Sequence, residues 1–354
     1  MTTLRGFQFR NFSSSPLIMV CSFFTFVQNY WFMHLSENFS AGTSELFVKI
    51  NELKKKKNAI ILGHFYQRPE VQEVSDFIGD SLALAQKAVN TSADIILMAG
   101  VHFMAETVKL LNPTKKVLIP CPEAGCSLAD SCKAADLKKF IAENPGHTVI
   151  SYVNTTNEIK ALSDLICTSS NAVQIVKSLP ADEKIIFGPD RNLGTFVSKQ
   201  TGRQMLLWDG ACHVHRRFSA SRIAELKNKY PDALVLAHPE CQADVLDISD
   251  FVGSTAAILK FVNTSECKTF IVSTEPGILH QMQKANPDKQ FIPAPPDDAQ
   301  LSCNECEYMK MITLEKIYQT LSAESPEVTV AEQIREAALR PVQRMLEISS
   351  KLGI

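Results

Sequence analysis

The chain has 354 residues, 45% of them hydrophobic, with 36 Lys+Arg against 38 Asp+Glu and a net charge of −2. This is the composition of an ordinary soluble globular protein with length for about two or three domains. The balanced charge excludes a basic nucleic-acid face, and the run Lys54–Lys57 reads as a solvated helix end.

Residues 1–44 differ from the rest. Pro16–Leu35 is apolar and aromatic, Arg5 and Arg10 precede it, and no acid occurs before Glu37. It reads as a membrane anchor, a targeting segment, or sequence upstream of a start at Met33. Gln28, Asn29 and His34 interrupt it and weaken a spanning helix, so residues 1–44 are read as an extension outside the core. No other stretch is long and apolar enough to span a membrane.

After Ser44, short apolar runs alternate with amphipathic segments. NAIILGHF, ADIILMAG and KKVLIP read as buried parallel strands, with VSDFIGDSLALAQKAVN and HFMAETVKLLNP at helical spacing between them. The pattern restarts with HTVISYVN, KIIFGPD and QMLLWDG, and again with ALVLAHPE, KTFIVST and KQFIPA. The run VAEQIREAALRPVQRMLEISSKL reads as a C-terminal packing helix. The restarts coincide with the chain's three Ser-Asp dipeptides, at Ser75, Ser163 and Ser249. His64, Tyr152 and His238 each lie 11 residues before them, and Gly100, Gly188 and Thr274 each lie 25 after. Each unit then reaches cysteine: Cys126, Cys212, and the pair Cys303 and Cys306.

These landmarks predict an α/β fold of three homologous three-layer αβα domains, with parallel sheets around a pseudo-threefold axis. The domains are placed at 45–135, 136–222 and 223–320, with a helical segment at 321–354. Ligands of parallel sheets bind beyond the strands' carboxyl ends, so equivalent loops of all three units can face one cavity.

Ten cysteines in a chain of this length argue for reduced, metal-binding or catalytic thiols rather than a disulfide scaffold. One cysteine per unit near an axis suits a metal. Zinc takes four ligands, or three plus water. A [4Fe–4S] cluster on three thiolates leaves one iron open. Cys303-x-x-Cys306 alone is also compatible with a redox pair. Cys167, Cys241 and Cys267 read as fillers of small buried sites, and Cys121 and Cys132 as less favoured ligands.

Ser81, Ser169 and Thr255 precede apolar-periodic helices and read as N-caps; such helix starts also bind anions. His64 and His238, with Tyr66 and Glu240 beside them, supply acid–base groups. Asn154 can orient a carbonyl or carboxylate. Asp190 and Arg191 read as a structural ion pair.

With these residues in hand, the chain closely resembles the quinolinate synthase family, iron–sulfur enzymes of de novo NAD synthesis. The resemblance spans roughly Asn58–Tyr318 and rests on segments such as GHFYQRPEVQEVSDFIGDSL, EAGCSLAD, FGPDRNLG, WDGACHVH, AHPEC, STEPGILHQM and CNECEYMKMITLEKIY. It implies a [4Fe–4S] cluster held by Cys126, Cys212 and Cys306. Glu307 stands where the family pattern has proline, which leaves Cys303 as the alternative third ligand. It implies a transferase reaction in which iminoaspartate and dihydroxyacetone phosphate give quinolinate, phosphate and two waters. The implied site is His64, Tyr66, Ser81, Tyr152, Asn154, Ser169, His238, Glu240, Ser254 and Thr255. Of these, Tyr66 and Glu240 would move protons. His64, Ser81 and Ser169 would hold carboxylates, and His238, Ser254 and Thr255 phosphate. A cytoplasmic location, functional coupling to L-aspartate oxidase and no nucleic-acid partner are also implied. The competing reading is another [4Fe–4S] hydro-lyase acting on a hydroxy acid.

Overall fold

The computed structural model describes residues 41–298, 300 and 303–354; the readings made for residues 1–40 lie outside them. Among the described residues, twelve strands fall into three four-stranded sheets. The first holds β1 (Ala59–His64), β2 (Phe77–Gly79), β3 (Ile95–Ala99) and β4 (Lys116–Leu118). The second holds β5 (Thr148–Tyr152), β6 (Leu165–Cys167), β7 (Ile185–Gly188) and β8 (Leu206–Leu207). The third holds β9 (Leu234–Ala237), β10 (Phe251–Val252), β11 (Thr269–Ser273) and β12 (Gln290–Pro293). The orders are β2-β1-β3-β4, β6-β5-β7-β8 and β10-β9-β11-β12, one topology three times, and every pairing is parallel. Central strands such as Ile95–Ala99 are buried along their whole length, as a sheet covered on both faces requires. The three-unit α/β architecture expected from the repeat is therefore present.

One local reading is corrected. The Ser-Asp segments do not belong to the following helices. Phe77–Gly79, Leu165–Cys167 and Phe251–Val252 are short edge strands, and each helix begins after them. The Ser-Asp pair itself joins edge to centre. Asp76 Oδ2 accepts from Ile61 N–H at 2.8 Å, Asp164 Oδ2 from Val149 N–H at 2.8 Å, and Asp250 Oδ2 from Val235 N–H at 2.7 Å. Each aspartate returns its own N–H to the carbonyl of that same residue. The serines turn back on the preceding helix: Ser75 donates to Val71 O, Ser163 to Ile159 O and Ser249 to Val245 O. Each motif thus satisfies backbone groups at a sheet margin that neither strand nor helix can reach.

The first two sheets share one apolar core with the C-terminal helices, and the third has a smaller core around Phe218, Val235, Ile271 and Ile292. The helix Glu332–Leu352 packs on Asn157–Ala161 and on β6, burying Val342 and Met345. Each such side chain contributes roughly 1.5–3 kcal/mol. Among the described residues, no helix is long and apolar enough to cross a membrane.

Candidate active site

The loops at the carboxyl ends of the three sheets enclose one cavity, with an empty volume of about 720 Å³ including its mouth. The first unit contributes His64, Tyr66, Ser81 and Cys126 to its wall. The second contributes Tyr152, Asn154, Ser169 and Cys212; the third contributes His238, Glu240, Thr255 and Cys306. Neither Ser254, which directly precedes Thr255, nor Cys303 is part of this wall.

The helix starts differ in detail from the expectation that Ser81, Ser169 and Thr255 are caps. Asp80 caps the first helix, accepting from Ala83 N–H at 3.0 Å, and Ser254 caps the third, accepting from Ala257 N–H at 3.2 Å. In the second unit Asn171 precedes the helix, and its side chain accepts from Thr168 N–H at 2.6 Å. The caps sit elsewhere because Asp and Ser at the residue before the helix reach the N3 amide, which a residue already inside the helix does not. This leaves the Ser81 and Thr255 hydroxyls for the cavity. Ser170 ties the three starts together: its hydroxyl donates to Asp80 Oδ2 and lies 2.8 Å from Ser254 Oγ.

A connected acid–base set crosses the cavity. Tyr66 Oη lies 2.9 Å from Thr255 Oγ1 and 2.7 Å from Thr274 Oγ1. Thr274 Oγ1 lies 2.9 Å from His215 Nε2. His215 Nδ1 reaches Glu240 Oε2 at 2.8 Å, a close but bent contact. One proton assignment suits the whole row: Tyr66 donates to Thr274, Thr274 to His215 Nε2, and His215 Nδ1–H faces the carboxylate. His215 stacks on His238 with centroids 4.5 Å apart, and His238 Nε2 lies 3.2 Å from Ser169 Oγ.

His64 and His238 are equivalent in the repeat and are held alike. Tyr66 N–H donates to His64 Nδ1 at 3.1 Å, and Glu240 N–H to His238 Nδ1 at 3.4 Å. Burial pushes both imidazoles down to about 3, with Lys310 adding to the effect at His64 and His215 at His238. Both are therefore neutral at physiological pH and present an Nε2–H. Burial raises the Tyr66 and Tyr152 phenols well above their ordinary range, so both stay protonated. Burial alone would raise the Glu240 carboxyl; His215, whose Nδ1–H faces Oε2, outweighs it and holds the group below the usual carboxylate range. Glu240 Oε1 and Asn154 Oδ1 are buried without a hydrogen-bond partner among the described residues, and both residues line the cavity.

The thiols form a second set. Cys126, Cys212 and Cys306 each stand immediately before a short helix, at Ser127–Asp130, His213–Arg216 and Glu307–Lys310. Burial pushes Cys126 and Cys306 up to about 12 and Cys212 well above its ordinary range, although nearby backbone amides pull the other way. All three line the one cavity, and negative charge on Cys126 or Cys306 would raise Cys212 further. Such a group becomes triply ionised only beside strong positive charge, which a metal centre supplies. The donor set fits a metal cluster. Cys212, His215 and Glu240 also bring ligand atoms within 4.8 Å of one another, but His215 and Glu240 already face each other.

Buried carboxylates steady two of the thiol loops. Asp190 Oδ2 accepts from Cys212 N–H at 3.1 Å, and Glu275 Oε1 from Cys306 N–H at 3.3 Å. Asp190 therefore does not pair with Arg191, as its sequence position suggested; it caps its own helix at Leu193 and holds Cys212, while Arg191 pairs with Asp209. Lys310 bridges Glu275 Oε1 and the carbonyl of Tyr66, at 2.7 Å each. Gly277 permits this closeness, since a Cβ there would stand 2.8 Å from the Tyr66 backbone.

His215, Thr274, Glu275 and Lys310 were not anticipated as site residues. Thr274 carried a signal: the repeat has Gly100 and Gly188 at the matching places, and only the third unit spends a hydroxyl there. His215 lies three residues after Cys212 and had no such mark.

A family profile described as Quinolinate synthetase A protein matches residues 48–347. The chain belongs to the quinolinate synthetase A family. Similar proteins include the quinolinate synthase of Thermosynechococcus vestitus, 58% identical over 86% of this chain and 96% of that one. That of Microcystis aeruginosa is 56% identical over 88% and 98%, and that of a Synechocystis strain 56% over 86% and 96%. The quinolinate synthetase A match covers the described cavity from His64 to Cys306.

Proposed function

We propose that this chain is a quinolinate synthase, condensing iminoaspartate with dihydroxyacetone phosphate to quinolinate, phosphate and two waters. The observation that carries the reading is the meeting, in one cavity, of a Tyr66–Glu240 proton path and three thiols from three units. Cys126, Cys212 and Cys306 would hold a [4Fe–4S] cluster, which when bound supplies a Lewis-acidic iron with an open position.

The protein's own groups have separable tasks. Glu240 Oε1, ionised and unpartnered, takes a proton from a carbon beside the triose carbonyl. Tyr66 gives a proton to the oxygen, and the Thr274–His215 link carries protons between the two groups, its hydrogen bonds reversing as it does so. Neutral His64 Nε2–H, Ser81 and Ser169 hold carboxylates. His238 and Thr255 hold phosphate, and Ser254 fixes the helix start that presents Thr255. Tyr152 and Asn154 orient the intermediate. Iminoaspartate hydrolyses in water, which favours supply by a neighbouring L-aspartate oxidase. Buried cysteines standing as thiols suit a reducing compartment such as the cytoplasm.

Formation of quinolinate from the two substrates without oxygen tests the assignment; a hydro-lyase would leave the triose phosphate unused. Thr274→Val tests the path. It removes the bridging hydroxyl while keeping the volume, and kcat should fall about 10- to 100-fold with KM changed little. Thr274→Ser should recover most of the rate. Unchanged kcat in Thr274→Val would break the path.

A further inference from the structure

The residue after each cavity cysteine takes part in a second three-unit contact, apart from the proton path. Ser127 follows Cys126, His213 follows Cys212, and Glu307 follows Cys306. Ser127 Oγ lies 2.6 Å from His213 Nδ1, and His213 Nε2 lies 2.8 Å from Glu307 Oε2. One neutral tautomer satisfies both ends: the Ser127 hydroxyl donates to Nδ1, and Nε2–H donates to the carboxylate. Tyr308 supports the same contact. Its ring stands edge-on to His213, with centroids 6.0 Å apart, and its edge lies 3.8 Å from where Gly125 would carry a Cβ. The His213 side chain is only 16% exposed, while that of Glu307 is 59% exposed, so the contact runs from the protein's interior to its surface.

We infer that Ser127, His213 and Glu307 form a clasp that sets the three cysteine loops against one another within the polypeptide itself and shields their thiols. The inference rests on reading Cys126, Cys212 and Cys306 as one ligand set. Those cysteines come from three units far apart in sequence, and a cluster needs all three sulfurs in place together. Loops free to move would lose that freedom as the cluster forms; loops already tied have lost it on folding. Hydrogen bonds just outside a ligand set orient the ligands in this way. The clasp also accounts for Glu307. A proline there has no side-chain acceptor and would leave His213 Nε2–H without its partner.

The clasp residues are positioning residues, tested first on metal-free protein kept without oxygen. Iodoacetamide labelling is followed by mass spectrometry at Cys126, Cys212 and Cys306, with Cys267, in the third unit but outside the cavity wall, as an internal control. In Glu307→Ala the three cavity thiols should label about fivefold faster, the effect of losing a partly exposed charged hydrogen bond. Cys267 should label at the wild-type rate. Glu307→Gln keeps an oxygen that accepts from Nε2–H and should label as wild type. Wild-type labelling in Glu307→Ala, equal acceleration in Glu307→Gln, or faster labelling at Cys267 as well would each overturn the clasp. In metal-loaded protein, Glu307→Ala should lose its visible cluster absorbance in air about fivefold faster than wild type. If the bound metal were zinc, the cluster reading would fail while the labelling still decided the clasp.

Discussion

Glu240→Gln should lower turnover about 10³-fold or more while leaving the metal content per chain unchanged. The substitution preserves shape and most contacts. The side chain keeps an oxygen beside His215 and His238, and the buried pocket that holds it is built by other residues. What it loses is the capacity to take a proton. In the native protein His215 holds Glu240 ionised despite its burial, and its Oε1 has no hydrogen-bond partner among the described residues. A carboxylate kept charged in a dry cavity with one oxygen unspent is poised as a base, and removing a general base typically costs 10²- to 10⁴-fold. The upper part of that range is expected because Tyr66 depends on the same path for its proton. Turnover within about tenfold of wild type would mean that Glu240 orients its neighbours rather than moves protons.

Cys212→Ser should abolish metal-cluster assembly and with it all activity, with the fold retained. The serine is nearly isosteric, and the loop keeps its support, because Asp190 binds the backbone N–H of residue 212 rather than its side chain. A hydroxyl, however, is a far poorer ligand for iron than a thiolate. Cys212 is also the thiol nearest the proton path, sharing a 4.8 Å neighbourhood with His215 and Glu240. Iron and sulfide near wild-type levels in the purified variant would remove Cys212 from the ligand set.

Much of the architecture was legible because the Ser-Asp motif does the same backbone job in each unit. An aspartate that must exchange two hydrogen bonds with a residue on the central strand cannot drift in sequence, so its spacing survived where side chains around it changed. The nine strands that do not follow a Ser-Asp motif announced themselves as apolar runs, most of them buried, although β8 is only Leu206–Leu207 and partly exposed. The edge strands did not: Phe77–Gly79 is three residues long and runs straight into a helix, and apolar periodicity cannot separate so short a strand from a helix start. The first and third caps slipped by one residue and the second helix start by two, for the same reason.

The site was legible in part. His64, Tyr66, Glu240 and the cysteines stand at repeat-matched positions, so equivalence between units pointed to them. His215 and Thr274 meet through a contact made across 59 residues of sequence, and only the packing of the second unit's thiol loop against the third unit brings them together. Glu307 looked like a departure that weakened the third thiol loop. In place, it is an anchor for that loop, since its carboxylate reaches His213 in another unit.

The most direct test purifies the protein without oxygen, counts iron and sulfide per chain, and supplies the same sample with iminoaspartate and dihydroxyacetone phosphate. About four irons and four sulfides per chain are expected, with quinolinate released alongside one phosphate for each ring formed. A colourless protein carrying zinc, or a full cluster that yields no quinolinate, would contradict the assignment.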